Sequence, residues 1–271
     1  MTGGNACRLQ EAFALFGTSS DFSAGLSTSA REEEITSGLP PNLDELPRLD
    51  GFRLRGIEMT RLETFIDAAF AFAVTIVVIA ADRVPDDINT LLVAFKNVPA
   101  FVASVAVLGI FWRGHWLWSR RYGLEDGVST FISWALLITV LIYIYPLKAL
   151  FGSMFALLSH SQLGHSLNVH TEAQARSLFT IYALGFTAIA VEILLLHWRA
   201  WRLRGPLRLN ALEQDLTRAD VAGWGIPTAV GIIALILAQT LPLRYIDWSG
   251  WIYFSMAIVV PLHKWWRRRH K

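Results

Sequence analysis

With a single cysteine, Cys7, the chain can form neither an intramolecular disulfide nor a multi-cysteine metal site. Its formal net charge is only +2, well short of the dense basic face that a nucleic-acid binder needs, so no nucleic acid is expected as a partner. No stretch joins a basic start to an apolar core and a small-residue cleavage point. Ala12 to Phe16 is too short for such a core, so the first long apolar block is expected to stay in the protein as a helix. Phosphate-cradling glycine loops, a nucleophile elbow and a His-Glu-x-x-His zinc motif are all missing. His160, His165 and His170 recur every five residues, which does not stack them on one helix face, so no metal site is expected there. Neither an enzyme activity nor a bound cofactor is expected.

Charge is scarce in a patterned way. Hydrophobic residues make up 54% of the chain, above the roughly 45–50% usual for soluble domains, and beyond Arg61 they gather into long blocks with short polar breaks. Residues 1–56 hold the opposite composition. Ser19, Ser20, Ser23, Ser27, Thr28 and Ser29 form a polar run, Glu32, Glu33 and Glu34 add charge, and Pro40, Pro41 and Pro47 interrupt any helix. The composition predicts a loosely ordered cytosolic tail over 1–56 and a membrane domain over 57–271.

A spanning helix needs about 20 mostly apolar residues, because the hydrocarbon core is about 30 Å thick and each residue rises about 1.5 Å. Six blocks approach that length: 60–81, 98–118, 128–151, 177–198, 222–241 and 248–266. The expected fold is therefore all-α, an integral-membrane bundle of six transmembrane helices behind a disordered N-terminal tail. Trp116, Trp118, Trp198, Trp201, Trp248, Trp251, Trp265 and Trp266 lie near block ends, where amphipathic rings favour the interface. Arg120 and Arg121 follow the second block. Arg199, Arg202, Arg204 and Arg208 follow the fourth, and Lys264, Arg267, Arg268, Arg269 and Lys271 end the chain. The alternate breaks, around Asp82 to Asp87, around the histidines, and over Arg244 to Asp247, are poorer in positive charge. Basic loops face the cytoplasm, which predicts a multi-pass protein of the cell membrane with both termini cytoplasmic.

Ionisable groups inside spans are costly and mark function by default. Asp67 lies six residues past Arg61, about 9 Å deeper at the rise of a helix. On the antiparallel second block His115 precedes Arg120 by five residues, which places it at about the same depth. A carboxylate and an imidazole there can satisfy each other, with Trp112 or Trp116 as further indole donors. Such a cluster either locks helix packing or handles ions. Along the first block Phe72, Thr75, Ile76 and Ile79 share a face, and alanines between them permit close helix approach. Glu192 lies two turns from Arg199 and can pair with it or with Arg113, while Lys148 is placed to snorkel at an outer helix end.

The run Arg61-Leu62-Glu63-Thr64-Phe65-Ile66-Asp67 resembles the Arg-x-x-x-Phe-Ser-Asp signature that opens the first helix of the transmembrane protein 175 family. His115 with Trp112 resembles the aromatic-and-histidine end of that family's second helix. The resemblance covers residues 60–81 and 111–121, and elsewhere rests on helix count and spacing. It implies a potassium-permeable channel with the N-terminus inside, built as a homotetramer because this chain holds one copy of the signature. It further implies that the first helices line the pore, with Phe72 at the apolar constriction, Thr75 as its threonine and Ile79 as a second apolar layer. Arg61, Phe65, Asp67, Trp112 and His115 would form the polar network tying the first helix to its neighbours. Potassium would be the permeant species, and lipid and other copies of the chain the partners. One departure stands out: the signature serine is Ile66, which can neither donate nor accept a hydrogen bond. That change, with the long polar tail, supports the alternative of a non-conducting membrane scaffold or sensor that retains the family fold.

Overall fold

A computed structural model describes residue 36 and residues 42–79, 86–160, 162–164 and 171–269, without the side chains of residues 78, 79, 243, 263, 264 and 266–268. Two units separate at Pro41/Asn42. The first, Met1–Pro41, falls almost wholly outside the described residues, as do Cys7, His165 and His170. The second, Asn42–Lys271, carries the fold.

Its helices are α1 (Arg61–Ile79), α2 (Ile88–Lys96), α3 (Val98–Tyr122), α4 (Gly127–Leu158), α5 (Glu172–Arg202) and α6 (Ala211–Thr240). The terminal segment is α7 (Trp248–Trp251), a 3-10 turn (Ile252–Ser255) and α8 (Met256–Arg269). Four of them, α3 to α6, are long and apolar enough to cross a membrane by length and composition. α1 has 19 residues, and the sixth expected span is broken into shorter pieces. The long helices outrun the apolar blocks because their polar ends are capped. Asp126 caps α4, Thr171 with Gln174 forms a capping box on α5, and Asn210 with Glu213 forms one on α6. Lys148, expected at a helix end, therefore lies well inside α4.

The core gathers one face of each of the first four long elements. Ile66, Phe70, Ala73 and Val77 of α1 meet Leu108 and Phe111 of α3, Leu136, Val140, Tyr143, Ile144 and Leu147 of α4, and Tyr182, Phe186, Ile189 and Ile193 of α5. α6 packs chiefly on α5. Gly114 makes room for this at the α3 end, since a Cβ there would meet the Trp224 ring at 2.2 Å. Within each spanning window only 28–39% is buried, so most of the apolar surface faces outward, as lipid or further copies of the chain require.

Residues 42–56 depart from the expected tail. They form a 3-10 turn (Leu43–Glu45) and a two-stranded hairpin, β1 (Arg48–Leu49) with β2 (Phe52–Arg53), and Phe52 is fully buried. The composition that suggested disorder is offset by the arginines, whose partners lie more than 150 residues away. Arg53 and Arg55 both bind Glu213, Arg53 through Nε and Nη2 at 2.9 Å each and Arg55 through Nη2 at 2.9 Å.

Candidate functional site

The segment leading into α1 is held before the helix begins. The Gly56 N–H donates to the Arg120 carbonyl at 3.1 Å, and Arg120 Nη1 donates back to the carbonyls of Gly56 at 3.1 Å and Ile57 at 3.0 Å. The Tyr122 hydroxyl donates to Thr217 Oγ1 at 2.9 Å, and Arg121 pairs with Asp220, so the end of α3 is fixed to α6 as well. Arg121 also stacks over the Phe52 ring, 4.9 Å from its centroid. The Glu213 carboxylate holds the Arg53 guanidinium above its already high value, chiefly through the side-chain hydrogen bond, so the pair stays ionised at every physiological pH.

α1 then runs with one buried stripe. Glu63, Ile66, Phe70, Ala73 and Val77 point inward at helical spacing. Ile66, at the position of the signature serine, is fully buried among apolar neighbours, so its lost hydrogen bond is replaced by packing. Glu63 is almost fully buried, and one carboxylate oxygen sits 3.1 Å from Arg120 Nε, which joins the start of α1 to the end of α3. Sequence reasoning missed Glu63 although it lies on the inward stripe; following i, i+3, i+7 back from Phe70 through Ile66 reaches it.

The polar network differs from the expected one. Asp67 accepts from the Trp112 indole N–H at 2.9 Å. His115 does not pair with Asp67; its Nε2 lies 3.1 Å from Ser133 Oγ on α4. Rise per residue gives a position along each helix but not around it. Phe111, Gly114, His115 and Trp118 form the buried stripe of α3, which faces α4 to α6, whereas Trp112 lies off it toward α1. Arg61 is exposed at the first turn and makes no ion pair among the described residues. Phe65 is half exposed and packs on Trp134 of α4, with ring centroids 5.1 Å apart. Glu192 meets neither Arg199 nor Arg113. It accepts from the Thr139 hydroxyl at 2.8 Å, and Arg199 instead binds Asp126 at the start of α4.

The remaining candidates lie on the opposite face of α1. Phe72 is 58% exposed, and Thr75 is exposed with its hydroxyl donating to the Ala71 carbonyl at 3.2 Å. The Ile79 side chain lies outside the described residues. Between α1 and α3 runs a crevice of about 320 Å³ lined by Phe70, Val74, Val105 and Leu108, with Asp67 and Trp112 also on its wall. α1 thus buries one side inside its own chain and offers to the outside a largely apolar side with the hydroxyls of Thr64 and Thr75, each donating to the carbonyl four residues before it. In a membrane such a face can meet lipid, another copy, or an ion path.

Comparison with known proteins bears on that choice. A family model described as "Endosomal/lysosomal potassium channel TMEM175" matches residues 61–146, the stretch holding α1, α3 and most of α4. A protein of Marivirga tractuosa named "Potassium channel" is 30% identical over 233 residues, covering 82% of this chain and 89% of the relative. Among solved structures, the crystal structure of a threonine-to-alanine variant of the potassium channel MtTMEM175, in complex with a nanobody–MBP fusion, has a TM-score of 0.70 at 27% identity. It covers 83% of this chain and 99% of that one. A lysosomal potassium-selective channel TMEM175 homologue from Chamaesiphon minutus shares the fold, with a TM-score of 0.52 at 22% identity over 74% of this chain and 95% of that one.

Proposed function

Because the chain belongs to the TMEM175 potassium channel family, we propose that it conducts potassium through a pore made by four copies, each contributing α1 to the lining. The observation that carries this reading is the division of α1. Ile66, Phe70, Ala73 and Val77 are consumed by the chain's own core, while Phe72 and Thr75 are left facing out. Four such faces around an axis give a ring of Phe72 side chains followed by a ring of Thr75 hydroxyls, with Ile79 one turn further on. An apolar ring hinders ions by excluding water, and the threonine oxygens are the nearest polar replacement for a partly shed hydration shell.

The rest of the site supports the pore mechanically. Asp67–Trp112 and Glu63–Arg120 tether α1 to α3 at two levels, so the outward face keeps a fixed orientation. The α1–α3 crevice is open enough to receive side chains of an adjacent copy. Counting α1 and the terminal segment as spans gives six crossings. The arginine-rich connections at Arg120 and at Arg202 to Arg208 then face the cytoplasm together with both termini. Native mass spectrometry in mild detergent tests the assembly. The reading requires a tetramer, and a clean monomer or dimer contradicts a four-fold pore. Potassium flux from purified protein in liposomes tests conduction, and its absence in an intact tetramer favours the scaffold alternative.

A further inference from the structure

A second crevice lies away from α1, where α4, α5 and the terminal segment meet. It has a volume of about 290 Å³, near the lower end of the roughly 300–1,000 Å³ of ligand sites. Its inner wall is Leu150, Phe151 and Met154 of α4 with Leu178 and Tyr182 of α5. Its lips include Leu157, Trp251 and Phe254, which are 62%, 38% and 51% exposed. Gly250 allows α7 to close one side, since a Cβ there would touch the Phe179 ring at 3.0 Å. We propose that this crevice holds one acyl chain of a membrane phospholipid with a zwitterionic headgroup.

Two observations select that occupant. The walls are almost wholly apolar, and α4 and α5, which form the inner one, are long and apolar enough to cross a membrane, where the surroundings supply hydrocarbon chains rather than water. The charge at the rim decides the headgroup. Asp247 lines the crevice, and no lysine or arginine does among the described residues. A lone carboxylate repels an anionic headgroup and attracts the ammonium of a zwitterionic one. This site does not depend on conduction, because none of its residues lies on α1.

The test uses the full-length protein in vesicles containing a phosphatidylethanolamine with a diazirine on one acyl chain. After illumination, peptides spanning 150–157 and 178–186 should carry the label. The matching phosphatidylglycerol probe should label them several-fold less. Ala257 lies exposed at the mouth, so Ala257→Trp should plug the crevice without disturbing the core and abolish labelling of both peptides. Equal labelling by the two probes, or labelling of these peptides unchanged in Ala257→Trp, overturns the proposal. So does labelling spread evenly over all exposed helix faces.

Discussion

Trp112 donates its indole N–H to Asp67 across the α1–α3 contact, while His115, three residues further along the same helix, turns away to Ser133. The contact that orients α1 is therefore an indole–carboxylate bond. Its worth is measurable as a coupling energy. Trp112→Phe and Asp67→Asn should each lower the thermal stability of the assembled protein. A hydrogen bond to a charged group contributes about 1.5–3 kcal/mol when shielded, and this half-exposed pair belongs at or below the low end. The double variant should lose less than the sum of the two. Asp67→Ala combined with His115→Ala should be additive, since those residues share no contact.

Glu213 is fully buried and holds two guanidiniums, Arg53 and Arg55. Glu213→Ala would leave both cations buried without their carboxylate, a loss of about 3–5 kcal/mol when a buried pair is broken. The thermal midpoint should fall steeply. Removing residues 1–41 should leave it nearly unchanged, whereas removing 1–56 should lower it as Glu213→Ala does. Equal midpoints for the two truncations would show that the hairpin is not part of the fold.

How much of this was legible in the sequence depends on the direction of the signal. Helix α1 and its signature could be read from one segment, because Arg61 to Asp67 and the apolar run after it are contiguous. The spans α3 to α6 could be read the same way, since hydropathy is local. The rise per residue suggested one level for Asp67 and His115. Azimuth did not follow, because it depends on which neighbour each stripe faces, so the Asp67–His115 pair does not form. Most hidden was the order of residues 42–56, where Pro47 and the charged residues read as the end of a loose tail. Its cohesion comes from Arg53 and Arg55 meeting Glu213 about 160 residues away, and no local composition reports that.

Asp126 caps α4 and binds Arg199. Burial pushes its pKa up, but the hydrogen bonds from Arg199 and Ser129 outweigh this and leave it below the ordinary Asp value. The sign follows from a depressed folded-state pKa. The contribution is fully present above the unfolded pKa of about 3.9 and is lost as pH falls through the lower folded value. Thermal midpoints of wild type and Asp126→Asn should therefore differ clearly at pH 7 and converge as pH falls below about 4. A gap that persists undiminished at pH 3 would contradict this assignment.

Orientation can be read by labelling. With Cys7 replaced, a cysteine at position 86 should react with a membrane-impermeant reagent in intact cells, and one at position 204 should react only after permeabilisation. The reverse pattern would invert the proposed topology.

The central claim is that α1 lines a potassium path through Phe72 and Thr75, and cation flux in liposomes tests it most directly. Wild-type tetramers should pass potassium at a low rate, because four phenyl rings leave little room for a hydrated ion and repel water. Phe72→Ala should raise the flux and weaken discrimination between potassium and sodium. Thr75→Val keeps the side-chain shape without the oxygen, so it should reduce potassium preference while leaving assembly intact. If all three proteins assemble as tetramers and none passes potassium or sodium above empty liposomes, α1 does not line a conducting pore and the account fails.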